Sequence, residues 1–155
     1  MATSAVPGAI DALVAVLRAA PDLADVQVLD GPPVGDQSAQ DYVAVGYQEG
    51  AEESVQMAQD FNAAGARTRD EDFDILCWID TWTGDSDVSA RRTRAFELLA
   101  VVEDAIRASG ASPAAPTLNG AVLWAHLTNA SLRQANTTDG VRAVIAFSVS
   151  CRARI

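Results

Sequence analysis

The side chains best suited to chemistry in this sequence are one histidine and two cysteines. His126, Cys77 and Cys151 lie far apart in the chain, each within a strand-like segment. Nucleophilic catalysis needs a base close to the nucleophile, and a structural zinc site needs four ligands. Neither pattern is present, so we expect the histidine to be structural or at the surface. We expect the cysteines to be buried thiols in a reducing compartment; a disulfide between two core strands is the alternative.

Three aspartates are grouped in the segment DTWTGDSD and resemble part of a calcium loop. The spacing of Asp80, Asp85 and Asp87 differs from that of an EF-hand, and the closing glutamate is missing. An aspartate directly before a helix commonly accepts hydrogen bonds from the first free backbone amides. We therefore expect Asp85 or Asp87 to cap a helix. We also expect a protein that is not an enzyme and that needs no metal ion or cofactor.

Arginines and tryptophans supply the remaining candidate binding residues. Arg91, Arg92 and Arg94 lie early in a predicted helix, where positive charge is unfavourable unless nearby carboxylates offset it. An ion-paired surface and a contact with an acidic partner are both compatible with this cluster. Trp78 and the other two tryptophans are expected in the core or at a subunit interface rather than around a ligand.

The composition favours a globular acidic protein. The 155 residues include 49% hydrophobic residues, and the formal net charge is −10. All 11 basic residues are arginine. Because nucleic-acid binding through phosphates needs a basic surface, this charge argues against such a function. The length fits a single domain, residues 1–155, that buries about 70% of its unfolded surface.

The N-terminal segment gives no sign of export. Met1–Ala20 has no basic residues ahead of its apolar part, and Asp11 interrupts that part, so it does not resemble a secretory signal. No stretch contains the roughly 18 consecutive apolar residues of a membrane span. We expect a soluble protein that is made in the cytoplasm and does not contact a membrane.

Two segments place apolar residues on one face at helical spacing. The first helix is predicted from Pro7 to Ala20, because proline suits the first helical turn and Pro21 ends the helix. The second is predicted from Val88 to Ser109.

Five segments have the alternation of strands: Val26–Leu29, Tyr42–Tyr47, Phe73–Trp82, Gly120–Asn129 and Gly140–Ile155. Phe73–Trp82 is apolar on both faces, which predicts a central strand that one subunit cannot cover alone. A helix is expected on one side, and a neighbouring subunit could cover the other. Gly140–Ile155 is longer than the usual strand of about 3–10 residues, which suggests that it projects into a neighbour. A polar loop, Asn129–Asp139, is predicted between the last two strands.

The predicted order is helix–strand–strand–strand–helix–strand–strand. It favours an α+β fold with a single, mostly antiparallel sheet and both helices packed on one face.

A polar segment, Gln48–Glu71, separates the second and third predicted strands. Segments of this length without secondary structure are usually functional or disordered. We interpret it as a long interaction loop. Met57 and Phe61 are its apolar anchors, spaced for a short helical turn, and Arg67 and Arg69 are its polar contacts.

The element order and two segments of sequence resemble the tail terminator proteins of long-tailed (siphovirus-like) bacteriophages. The first segment is PGAIDALVAVLRAAPDL, followed directly by VQVLDGPP. The second, DFDILCWIDTWTGD followed by ARRTRAFELLAVVEDAIRA, resembles the central strand and main helix of that family. The resemblance covers nearly the whole chain and is one of pattern.

The resemblance implies a structural virion protein that forms a hexameric ring on the end of the tail tube. Such a ring stops tail polymerisation and joins the tail to the head connector, and DNA passes through it without specific binding. Partners would be other copies of the chain, the tail tube protein and the connector protein. The protein would be located in the tail or neck of the virion, and it would be assembled in the host cytoplasm. The loop Gln48–Glu71 would make ring or tube contacts. Another head–tail joining protein, or a small α+β ligand-binding domain or enzyme, is the alternative.

Overall fold

The structure, a computed structural model, describes residues 2–35, 41–110 and 115–155. It is an α+β fold with two helices and six strands among the described residues, and its class agrees with the sequence prediction. In chain order the elements are α1 (Val6–Ala19), β1 (Gln27–Asp30), β2 (Tyr42–Val45), β3 (Val55–Phe61), β4 (Arg69–Thr83), α2 (Val88–Arg107), β5 (Trp124–Thr137) and β6 (Gly140–Arg154).

The strands form one mixed sheet in the order β1-β2-β4-β6-β5, with β3 also paired to β4. Only β1 and β2 run parallel; the other pairs are antiparallel. β2 pairs with Cys77–Asp80 of β4, and β3 pairs with Arg69–Ile75. β4 therefore has two successive neighbours along one edge, while β6 occupies the other edge from Asp70 to Thr83.

The main core lies between the helices and one face of the sheet, which we call the helix face. Alternate residues of β4 and β6 point into it, because side chains of a strand alternate between faces. The fully buried large side chains here come from both helices and both central strands: Leu13, Leu17, Leu98, Ile106, Ile75, Ile79, Ile145 and Phe147. The helices thus pack on one face, as the sequence predicts.

The opposite face of the sheet, which we call the open face, carries a smaller apolar cluster. Tyr42, Ala44, Trp78 and Val144 are buried there, and Tyr47 packs against them. The expectation that one subunit cannot cover both sides of the third predicted strand is therefore wrong. Side chains of the neighbouring strands and of the loop after β2 cover Trp78 instead.

The predicted loop over 48–71 is in large part a β-hairpin. β3 occupies Val55–Phe61, and β4 begins at Arg69, so the helical turn expected at Met57 and Phe61 does not form. The observed order therefore contains one more strand than predicted. Polar residues dominate this strand, and the alternation that identifies strands was consequently weak.

The end of the sheet also differs from the prediction. β5 continues through the predicted loop as far as Thr137, and a tight turn leads into β6 at Gly140. A Cβ atom at Gly140 would overlap the carbonyl oxygen of Thr83, so glycine is required at this crossing. β6 pairs with β4 and with β5 along nearly its whole length. Its length is therefore used inside the subunit, and projection into a neighbour is not needed to explain it.

Candidate functional site

The β3–β4 hairpin brings together four of the residues that the sequence singles out. Met57 and Phe61 lie on the helix face of β3, where they are 50% and 70% exposed. Arg69 lies directly opposite Phe61 in the register, and Arg67 is exposed in the connecting turn. We call these four residues the hairpin tip. Large exposed apolar side chains beside cations are typical of contact surfaces rather than of a core.

A buried carboxylate anchors this hairpin to the body of the protein. Glu71 is 0% exposed, and its Oε1 accepts hydrogen bonds from the backbone N–H of Ala5 at 2.8 Å and from the hydroxyl of Ser4 at 3.0 Å. Its Oε2 accepts from the side-chain amide of Gln59 on β3. Since Ala5 is the N-cap of α1 and has no side-chain cap of its own, Glu71 supplies the missing acceptor and a favourable charge.

Sequence reasoning did not single out Glu71. The available signal was its position two residues before Phe73. This spacing places Glu71 on the helix face of β4, next to the run of buried apolar residues Phe73, Ile75, Cys77 and Ile79. A glutamate there must find partners, because an unpaired buried charge is very unfavourable.

Cross-strand ion pairs line the open face beside the hairpin. Arg154 of β6 pairs with Asp70 at 2.8 Å, and Arg152 pairs with Asp72 at 2.7 Å, each pair directly opposite in the register. The hydrogen bonds from the two guanidinium groups hold the pKa of both carboxyls below their ordinary range. These arginines are therefore already neutralised within the chain.

A second network surrounds Asp80, which is 7% exposed. Its carboxylate accepts hydrogen bonds from the Arg142 guanidinium, at 3.1 Å for Nε, and from the Tyr42 hydroxyl at 3.1 Å. Arg142 also reaches Glu49 at 3.0 Å, which ties the loop after β2 to β6. Burial, and then the neighbouring Asp80 charge, raise the pKa of Tyr42 well above its ordinary value.

Trp78 is only 1% exposed and takes part in packing within the chain. Tyr47 meets its ring edge-on with centroids 6.4 Å apart, and the guanidinium carbon of Arg133 lies 5.8 Å from its ring centroid. The sequence left two expectations for the tryptophans, the core or a subunit interface. In the subunit, Trp78 lies in the smaller apolar cluster of the open face.

The arginine cluster of α2 also finds partners inside the chain. Arg94 pairs with Asp41 at 2.9 Å and Arg91 reaches the same carboxylate at 4.0 Å. Arg92 donates to the side-chain oxygen of Gln134 on β5 at 2.9 Å. The main partner is thus an aspartate at the start of β2, which the sequence spacing could not reveal.

The residues considered for catalysis do not form a constellation. His126 is exposed and stacks on Trp124 with ring centroids 4.8 Å apart. Cys77 and Cys151 are buried free thiols, and burial raises the pKa of each to about 12. Within the described ranges, no group of three or more His, Cys, Asp or Glu side chains is placed to hold a metal ion.

The aspartates after β4 act as helix caps, which confirms the sequence prediction. Asp87 is the N-cap of α2 and accepts a hydrogen bond from the backbone N–H of Ala90 at 3.0 Å. Asp85 accepts from the backbone N–H of Asp87 at 3.0 Å. These contacts account for both carboxylates without a cation.

The far edge of the sheet is a long exposed strand. From Asn129 to Thr137, β5 pairs with β6 on one side, and every side chain except the half-buried Leu132 is exposed. In the part of the chain that the structure describes, no strand pairs with its outer edge. Free edges of this kind are templates for pairing with other chains.

Among the described residues, no helix is both long and apolar enough to cross a membrane.

Comparison with known proteins is informative at the level of the fold. No protein-family model matches the sequence, and no curated protein matches it either. Among solved structures, the chain is similar to a chain from the virion of a native gene transfer agent (GTA) particle. The TM-score is 0.60 at 18% sequence identity, and the match covers 98% of this chain and 100% of that chain. The similarity therefore extends over nearly the whole fold.

Proposed function

We propose that this chain is a structural protein of a phage-like virion and that it acts as the tail terminator. In this role a ring of copies caps the tail tube, ends its polymerisation and presents the surface that joins the head connector. The observation that carries the proposal is the full-length likeness to a chain of a gene transfer agent virion, at 98% and 100% coverage.

The sequence resemblance to tail terminators supports the finer assignment. The two resembling segments correspond to α1 with β1 and to β4 with α2. These four elements together supply half of the buried residues of the main core. The segment that the resemblance assigns to ring or tube contacts contains the β3–β4 hairpin. Its exposed Met57 and Phe61 suit a surface that becomes buried on assembly.

Surface charge supports a ring through which DNA passes without being held. Three arginines of the open face, Arg142, Arg152 and Arg154, are each paired with a carboxylate. Binding of DNA through its phosphates depends on cations that are free to replace counterions. With these cations engaged and a net charge of −10, the chain offers little attraction to passing DNA.

A second candidate is another joining protein of the same neck region. The similar chain comes from the virion of a gene transfer agent, so the likeness suits any chain of such a virion that has this fold. The two roles differ in their loss-of-function phenotypes. A missing terminator leaves tails of uncontrolled length, whereas a missing head-side joining protein leaves tails of normal length.

Deletion of the gene in the producing cell, followed by electron microscopy of the particles, tests the proposal. We expect heads without tails alongside tubes of variable, excessive length, with wild-type lengths restored by the gene in trans. Unattached tails of normal length would favour the second candidate. Complete particles with normal tails would contradict both roles.

A further inference from the structure

A groove lies between the two helices at their C-terminal ends. Its volume is about 360 Å³. Its walls consist largely of small apolar residues from both helices and from the residue directly after each helix: Val16, Ala19, Ala20, Val101, Ala105 and Ala108. Because alanines stand where larger side chains would fill the space, the helices leave a gap here that is large enough for an aromatic side chain. We call it the helix groove.

The helix groove has a negative rim. The exposed carboxylates of Asp22 and Asp104 stand at its two sides. The C-terminal ends of the two helix dipoles add partial negative charge. The nearest arginines are engaged elsewhere: Arg18 donates to the carbonyl of Val28 at 3.0 Å, and Arg107 pairs with Glu103 at 2.5 Å. The groove therefore suits an occupant that is apolar at its centre and cationic at its edge.

The hairpin tip of the same chain has this chemistry. Phe61 is the most exposed aromatic side chain among the described residues, and Arg69 lies opposite it. Arg67 adds a second cation in the turn. The acidic neighbour Asp60 points to the other face of the hairpin.

The hairpin tip cannot reach the helix groove of its own subunit. Glu71, two residues from Arg69, binds the N-terminus of α1 through the Ala5 amide at 2.8 Å. The groove lies at the other end of this 14-residue helix, which corresponds to a length of about 21 Å. The two surfaces can therefore meet only between different molecules.

We propose that the helix groove receives the hairpin tip of a second copy of this chain. The Phe61 ring packs between the alanine walls, and the two arginines of the tip face Asp22 and Asp104. Each copy then uses two different surfaces, so the contact is heterologous and closes into a ring when the rotation between copies permits. This inference rests on the proposed function, since it specifies the contact that builds the ring.

Disulfide trapping tests the contact directly. The Phe61→Cys, Ala105→Cys double variant should form covalent multimers on mild oxidation, because bridged cysteines need Cα atoms within about 7 Å of each other. The native thiols are buried and should not interfere. The matched control, Phe96→Cys with Ala105→Cys, uses an exposed phenylalanine outside the tip and should stay unlinked. If the Phe61→Cys, Ala105→Cys variant forms rings and these rings contain no disulfide-linked multimers, the inference is overturned.

Charge reversal gives a second, independent test by analytical ultracentrifugation. Asp22→Arg with Asp104→Arg should reduce ring formation at least tenfold, and adding Arg67→Asp with Arg69→Asp should restore most of it. The control, Asp11→Arg with Asp139→Arg, makes the same change in net charge at two exposed positions outside the groove.

The outcomes separate this inference from the proposed function. Rings that form equally well in the groove variant would overturn the inference and leave the ring intact. A wild-type chain that is monomeric even within particles would overturn both. Loss of rings in the groove variant without rescue by the tip reversal would show that the groove takes a different partner, and would also overturn the inference.

Discussion

Glu71 provides the sharpest test of how the hairpin is held to the body of the protein. Replacing it with glutamine keeps the shape of the side chain but removes the charge. It also turns one acceptor into a donor that faces the Ala5 amide, the Ser4 hydroxyl or the Gln59 amide. The carboxylate is fully buried, so water cannot replace these hydrogen bonds.

The expected loss can be worked out from the contacts. A hydrogen bond to a charged group contributes about 1.5–3 kcal/mol, and a charge at a helix N-terminus contributes about 0.3–1 kcal/mol. Because glutamine keeps part of the hydrogen bonding, we expect Glu71→Gln to lower the free energy of unfolding by about 2 kcal/mol. For a chain of this size that corresponds to a fall in Tm of about 4–8 °C.

Urea denaturation at pH 7.5, followed by circular dichroism, measures this loss. The matched control is Glu52→Gln, an exposed carboxylate in the loop before β3, which should change stability by less than about 0.5 kcal/mol. Hydrogen exchange should also show faster exchange at the first turn of α1 and in β3 for Glu71→Gln. A Glu71→Gln variant as stable as the control would refute the anchoring role.

Three further predictions concern the core and the absence of catalytic chemistry. Phe147→Ala should cost about 3–5 kcal/mol in a thermal or urea melt, because the ring is buried, whereas Phe96→Ala should cost far less because that ring is 47% exposed. Equal losses would mean that the assigned strand faces are wrong. Since burial raises the pKa of Cys77 and Cys151 to about 12, both thiols should resist iodoacetamide at pH 8 until the chain unfolds. Rapid labelling of the native protein would contradict their burial. Chelator treatment and His126→Gln should each leave folding and assembly unchanged, and a loss of assembly that a divalent ion restores would contradict this.

Acid should weaken the open face through its ion pairs. Asp70 and Asp72 have a lowered pKa in the folded protein, so their contribution to stability is present above the ordinary carboxyl pKa of about 4 and is lost as the pH falls through the lowered values. The Asp72→Asn variant should therefore lose less stability than wild type between pH 5 and pH 2. Identical pH profiles for the two proteins would contradict the pairing of Asp72 with Arg152.

The strongly periodic parts of the fold were predictable from the sequence. The apolar stripes of both helices and the alternation of β4 and β6 are local patterns, and the helix ends agree within about two residues. The cap at Asp87 was also predictable, because capping depends on neighbours in the sequence.

The missed features depend on partners that are distant in the chain. β3 has a polar sequence and is held by pairing with β4 and by Gln59 and Glu71. The second half of β5 is exposed on both faces, so no alternation marks it as a strand. The partner of Arg94, Asp41, is 53 residues away, and no local spacing predicts such a contact.

The structure does not support two of the sequence arguments for a ring, and other observations now support assembly. The length of β6 is used by β4 and β5, and Trp78 is covered within the subunit. The case for assembly now depends on the exposed hairpin tip, the free edge of β5 and the full-length likeness to a virion chain. Surfaces such as these become recognisable only when the neighbours of each strand are known.

Cryo-electron microscopy of the neck of the native particle decides whether this chain is the tail terminator. We predict one ring of six copies of this chain between the last ring of the tail tube and the head connector, with an open centre wide enough for DNA. Density for this chain at a position other than the neck would contradict this prediction. Isolated copies at the neck that make no contact with one another would contradict it as well.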